Sequence, residues 1–177
     1  MSTISSSTLP PLTLVLGGQR SGKSAYAEGL IGDQQSAVYL ATGQVFDDEM
    51  LERVSRHQQR RPDNWITVEE PIDLAGSLRE NTQSDRPVLI DSLAMWVSNL
   101  LGEGYNVETE SFALVETLKD ITSPLVIVSD ETGLGIIPDN ALARKFLDEL
   151  GTLNQAIARQ ADRVVFIAAG LPLVLKG

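Results

Sequence analysis

The residues Gly17-Gly18-Gln19-Arg20-Ser21-Gly22-Lys23-Ser24 place a glycine five positions ahead of a Gly-Lys-Ser triplet. Glycines let backbone N–H groups turn inward and cradle anionic oxygens. The lysine adds a point charge, the serine a hydroxyl, and a following helix the positive end of its dipole. This is the P-loop pattern. Its context agrees: the apolar run 12–16 reads as a buried strand, and 25–30 opens a helix. A flexible Gly/Ser turn has no reason to be flanked in that way. The expected ligand is a nucleoside triphosphate. Lys23 would reach its β/γ-phosphates and the Ser24 hydroxyl would sit on Mg²⁺.

Two further segments bear on the same chemistry. Val88-Leu89-Ile90-Asp91 is an apolar strand ending in a carboxylate, the Walker-B arrangement, and would set Asp91 on Mg²⁺ beside Ser24. Asp91-Ser92 also fits a plain helix start before 93–101. The other segment, 47–62, begins with Asp47-Asp48-Glu49 and ends with Arg60-Arg61-Pro62, an order that suits a helix dipole. On such a helix Met50, Val54 and His57 share a face, with Arg53 one turn before the histidine and Arg60 and Arg61 one turn after. His57 is the sole histidine of the chain. Three guanidinium groups around it disfavour a further positive charge and leave a neutral, nucleophilic imidazole. The arginines would also neutralise phosphate oxygens. A solvated charged helix with an incidental histidine accounts for the same residues, and composition alone favours it.

The elements that must position these groups alternate regularly. Strands are expected at 12–16, 37–41, 65–69, 87–91, 125–129 and 163–168, with a last short one at 173–175. Helices are expected at 24–31, 48–60, 74–81, 93–101, 108–120 and 140–161. Asp139, after Pro138, is the expected N-cap of the last helix, and Gly151 marks a possible break within it. Continuous apolar strands between helices imply an α/β, P-loop NTPase-like fold: a mostly parallel sheet with helices on both faces. Residues 1–10, uncharged and rich in Ser and Thr, read as a flexible leader, and 11–177 as a single P-loop nucleotide-binding domain.

Composition narrows the classes. With 177 residues the chain can bury a full core. A net charge of −10 argues against a nucleic-acid binder and against an anionic membrane surface. There is no cysteine, so disulfides and thiolate chemistry are excluded, and a reducing, cytoplasmic location is compatible. No apolar run is long enough to span a membrane.

Several separated motifs resemble one family. They are Gly17-Gly18-x-Arg20-Ser21-Gly22-Lys23-Ser24, Tyr39-Leu40-Ala41-Thr42, Asp47-Asp48-Glu49-Met50, and Arg53-Val54-x-x-His57-x-x-x-Arg61-Pro62-x-x-Trp65. Gly133-Leu134-Gly135-Ile136-Ile137-Pro138, Leu142-Ala143-Arg144, Asn154-Gln155 and Gly170-Leu171-Pro172-Leu173 follow in order. The family is the bifunctional adenosylcobinamide kinase / adenosylcobinamide-phosphate guanylyltransferase of cobalamin biosynthesis, and the likeness runs over about residues 12–176. It implies that His57 takes GMP from GTP as a covalent phosphoramidate. It implies nucleotide contacts at Gly17 to Ser24, at Ala41-Thr42-Gly43, at Gln58-Gln59-Arg60-Arg61, at Glu69 and at Asp91. Where Asp91 stands the family often has Glu, and where Asp130-Glu131 stands it commonly has Asn-Glu.

The resemblance thus implies two reactions. The aminopropanol hydroxyl of adenosylcobinamide takes the γ-phosphoryl of ATP or GTP. Adenosylcobinamide phosphate then receives GMP from His57, giving adenosylcobinamide-GDP. Mg²⁺ is the expected cofactor and a homotrimer the expected assembly. A P-loop small-molecule kinase without guanylyl transfer is the alternative. A GTP-dependent switch is less favoured, because the chain lacks an evident Asn-Lys-x-Asp guanine motif.

Overall fold

The structure, a computed structural model, describes residues 9–32, 36–44, 62–82 and 86–177. Among these, seven strands form one sheet in the order β3-β2-β4-β5-β1-β6-β7. The strands are β1 (Leu12–Gly17), β2 (Val38–Ala41), β3 (Ile66–Glu69), β4 (Val88–Asp91), β5 (Leu125–Asp130), β6 (Arg163–Ala168) and β7 (Leu171–Lys176). All adjacent pairs are parallel except β6–β7, which is antiparallel. The described helices are α1 (Lys23–Ile31), α2 (Leu74–Asn81), α3 (Leu93–Gly102), α4 (Val107–Leu118) and α5 (Ala141–Gln160). The helix expected at 48–60 lies outside the described residues.

Side-chain alternation along the strands divides the core between two faces. Leu12, Leu14 and Leu16 of β1 point to the face covered by α2 to α5, where Leu78, Trp96, Leu114, Leu150 and Ile157 pack. Val15 points the other way, into a cluster with Ala27 and Ile31 of α1 and with Tyr39, Leu89, Val126 and Val165. Helices therefore lie on both faces, which is why the inner strands are apolar at consecutive positions. The edge strand β3 is mostly exposed.

Three local expectations change. The N-cap of α5 is Asn140, not Asp139: Asn140 Oδ1 accepts from Ala143 N at 3.1 Å, while Arg144 takes the carbonyls of Pro138 and Asp139. Both residues carry a capping oxygen, and only the position three before the free amide reaches it. Nor does Gly151 interrupt α5. Leu150, Leu153, Asn154 and Ile157 are buried along one face, and that burial outweighs the roughly 1 kcal/mol cost of a helical glycine. The last strand is longer than expected. A tight turn at Ala169 and Gly170, with φ of 52° and 79°, folds β7 back along β6 over Leu171–Lys176. Both turn residues having positive φ is the hairpin geometry that matches strand twist.

Candidate active site at the carboxyl edge of the sheet

Parallel strands deliver all their carboxyl ends to one edge, and the loops that leave them build the site. Gly17 is the last residue of β1. A Cβ there would lie 2.5 Å from Ser21 Oγ and 2.8 Å from the Ile167 carbonyl oxygen, so the turn requires glycine. The loop then passes through left-handed geometry at Arg20 and Gly22, with φ of 55° and 96°. Ser21 N donates to Gly18 O at 3.2 Å, and Tyr26 N to Gly22 O at 3.0 Å as α1 begins. The β6–β7 turn braces the loop from outside, because Gly170 N donates to Ser21 O at 2.8 Å. Gln19 and Arg20 are exposed at the tip.

Lys23 is buried. Its Nζ donates to Gly18 O at 3.1 Å and stands 2.6 Å from Asp130 Oδ1. Asp130 ends β5, directly beside Gly17 in the strand register. Its carbonyl accepts from Asn154 Nδ2 of α5 at 3.1 Å, and Glu131 N donates to Gly17 O at 3.0 Å. The Ser21 hydroxyl is buried close against Gly17, with no hydrogen-bond partner among the described residues.

The second half of the edge is a separate network. Asp91 Oδ2 accepts from the Tyr39 hydroxyl at 2.9 Å. Thr42 is fully buried, and its hydroxyl accepts from Ser92 N at 2.8 Å and donates to Ser92 O at 2.7 Å. Asn99 Nδ2 of α3 donates to the carbonyls of Thr42 and Pro71 at 2.7 and 3.1 Å. Ser92 itself caps α3, so the aspartate that ends the strand and the serine that starts the helix hold different tasks. Ala41 is level with Asp91 on one side and with exposed Glu69 on the other.

Strand order decides which carboxylate faces the P-loop. Because β5 lies between β4 and β1, Asp91 is two strand spacings, about 9–10 Å, from β1. It is also level with Val128, two residues short of Asp130. The carboxylate beside Lys23 is accordingly Asp130, which sequence reasoning had not placed in the site. Its signal was present: the apolar run Leu125-Val126-Ile127-Val128 is followed, after Ser129, by an aspartate, close to the pattern that singled out Asp91. Tyr39 and Asn99 were given no role either: Tyr39 stands in the Tyr39-Leu40-Ala41-Thr42 motif without an assigned contact, and an amide in a helix carries no motif. His57, Gln58, Gln59, Arg60 and Arg61 lie outside the described residues. Ser24, on the first turn of α1, and Gly43, just past β2, are partly exposed at this same edge.

Among the described residues no group of three or more His, Cys, Asp or Glu side chains forms a metal cage. The Ser24 hydroxyl and the Asp130 carboxylate at the P-loop are oxygens of the kind that fit Mg²⁺, which is commonly held by one or two protein oxygens together with substrate phosphates, whereas Asp91 stands two strand spacings from β1.

The family model described as cobinamide kinase / cobinamide phosphate guanyltransferase matches residues 13–175. The chain is 46% identical over 167 residues to the bifunctional adenosylcobalamin biosynthesis protein CobP of Pseudomonas aeruginosa, covering 93% of this chain and 96% of that one. It is 35% identical over 182 residues to the bifunctional adenosylcobalamin biosynthesis protein CobU of Escherichia coli, covering 93% and 99%. To the CobU protein of Salmonella typhimurium it is 35% identical over 180 residues, again with 93% and 99% covered.

Proposed function

The chain belongs to the cobinamide kinase / cobinamide phosphate guanyltransferase family, and from that premise we propose that one P-loop site serves both of its reactions. The protein is an enzyme of cobalamin biosynthesis with both activities, phosphorylation of cobinamide and guanylyl transfer to the phosphate. In the first, the hydroxyl oxygen of adenosylcobinamide attacks the γ-phosphorus of ATP or GTP, the bond to the β-phosphate oxygen breaks, and the hydroxyl proton passes to solvent or a base. In the second, an imidazole nitrogen of His57 attacks the α-phosphorus of GTP and pyrophosphate leaves. A phosphate oxygen of adenosylcobinamide phosphate then displaces His57, and adenosylcobinamide-GDP is formed. Two displacements in place of one are the usual gain of covalent catalysis.

The observation that carries this reading is the buried Lys23, held at the mouth of a glycine turn whose backbone is braced from three sides. The loop from Gly17 to Ser24 would wrap phosphate, with the Ser24 hydroxyl on the first turn of α1. Mg²⁺, when bound, neutralises charge on the transferring group. Asp91, held by Tyr39 at the end of β4 two strands from β1, is the proposed outer partner of that charge. Ala41, Thr42, Gly43 and Glu69 line the edge where the base and ribose would extend, with Thr42 acting through its backbone fold.

A homotrimer belongs to the proposal. Strand β7 is a sheet edge on which Leu171, Leu173, Val174 and Leu175 are exposed, and association would cover it. No helix among the described residues is long and apolar enough to cross a membrane. A cytoplasmic location is proposed because nucleoside triphosphates are supplied there.

The test is incubation with α-³²P-GTP and Mg²⁺ followed by a denaturing gel, for wild type and His57→Ala. Acid-labile, alkali-stable label on the wild type alone is expected, with kinase activity retained in the variant. Label on both proteins refutes His57 as the acceptor, and label on neither while γ-phosphoryl transfer to cobinamide continues refutes the covalent intermediate.

A further inference from the structure

The reactions above give Asp130 no step, yet among the described residues it is the carboxylate paired with the P-loop lysine. Lys23 Nζ stands 2.6 Å from Asp130 Oδ1, and the two side chains are only 8% and 16% exposed. The aspartate is not free to drift away as a surface ion pair would be. Its residue is the last of β5, in register with Gly17, and Asn154 of α5 holds its carbonyl. Lys23 is likewise tied to Gly18 O. A triphosphate entering this loop brings several negative charges to the same ammonium. Like charges at short range in a partly buried site repel strongly, and among the described residues it is Lys23 that the carboxylate and the phosphates would share.

We propose that Asp130 is an internal counter-ion that nucleotide phosphates must displace from Lys23, so that this carboxylate sets the affinity of the site for nucleotide. In the empty loop the pair keeps a buried ammonium neutralised and aimed at the phosphate position. On binding, phosphate oxygens take the ammonium, and the carboxylate turns toward Mg²⁺ or solvent. The bound state is thereby weakened and the release of the spent nucleotide is eased. The proposal rests on the P-loop being the nucleotide site.

Asp130→Asn keeps the shape of the side chain and removes the charge. By titration calorimetry with GTP and Mg²⁺ it is expected to bind about tenfold more tightly than wild type, about 1.4 kcal/mol. Its KM for the phosphoryl donor is expected to fall in parallel. Asp130→Glu, which retains the charge, is expected to bind as wild type does. Equal or weaker binding by Asp130→Asn overturns the proposal. So does an unchanged Kd with a large fall in kcat, which would mark the carboxylate as a proton acceptor. Should Asp130→Asn not fold, a crystal structure of the wild type with a non-hydrolysable GTP analogue decides. Lys23 Nζ and Asp130 separated beyond about 4 Å supports displacement, and an intact pair refutes it. If the wild type itself binds no GTP while folded, the nucleotide-site reading fails, and this one with it.

Discussion

Thr42→Val separates two roles that a single threonine at a strand end can play. Valine matches the shape of threonine but lacks the hydroxyl. In this fold that hydroxyl accepts from Ser92 N and donates to Ser92 O, at 2.8 and 2.7 Å, in a place with no solvent access. The substitution therefore leaves the buried Ser92 amide without a partner, while the Ser92 carbonyl keeps Trp96 N at 3.2 Å. One unsatisfied buried group costs about 1–3 kcal/mol, so a loss near 2 kcal/mol is expected. For a chain of this size that lowers the melting temperature by about 4–8 °C. Urea unfolding and calorimetry of the apo protein measure it, with Thr42→Ser as the control that keeps the hydroxyl and loses only a methyl. Affinity for GTP in the folded fraction is expected to change less than about threefold, because the hydroxyl is already committed to Ser92. A destabilisation below about 1 kcal/mol, or a large rise in the Kd for GTP at unchanged stability, refutes this assignment. The second result would return the Thr42 hydroxyl to the nucleotide.

Gly17→Ala forces its Cβ against Ser21 Oγ and the Ile167 carbonyl. The serine can rotate but the carbonyl cannot, so the loop must shift. A stability loss of about 1–3 kcal/mol and at least tenfold weaker GTP binding are expected by thermal melting and calorimetry. Lys23→Met should lower the rates of both γ-phosphoryl transfer and His57 guanylylation by about 10²–10³-fold, measured with γ- and α-labelled GTP. A fall in only one of the two rates refutes the use of one phosphate cradle for both.

Much of this arrangement was legible before any coordinates, because it follows from local rules. Runs such as Val88–Asp91 and Leu125–Asp130 can be apolar at consecutive positions only between two layers of helix, and the glycines of 17–22 answer to backbone needs that no other residue meets. What was not legible is strand order. Asp91 and Asp130 end similar strands, and nothing in either segment says which of them lies beside β1. That choice is made by β5 inserting between β4 and β1, a pairing between residues more than one hundred positions apart. The Thr42–Ser92–Asn99 network escaped for the same reason: each member is an ordinary residue until the fold closes. The cap at Asn140 was missed by one position, within the ambiguity of two adjacent residues with the same capping group.

One phosphate cradle can serve attack at two different phosphorus atoms because the bonds that break share a phosphate. When cobinamide takes the γ-phosphoryl, the leaving oxygen belongs to the β-phosphate. In the proposed guanylyl transfer His57 takes the α-phosphoryl, pyrophosphate leaves, and its departing oxygen is again on the β-phosphate. In the proposed pose the P-loop amides and Lys23 surround that phosphate in both cases, so the same donors meet the charge that develops in either transition state. What must differ is only the approach of the nucleophile. The hydroxyl comes in line from beyond the γ-phosphate, and the imidazole from the side of the nucleoside. The sheet edge divides along the same line. Gly17, Lys23 and Asp130 stand at one end, while Ala41, Thr42, Asp91 and Glu69 extend away over β4, β2 and β3. The chain departs from that second group at Gln44 toward the segment that carries His57. In the proposed pose the γ-phosphate end lies beside β1 and the nucleoside extends over β4 and β2, the strand that precedes the histidine segment in the sequence.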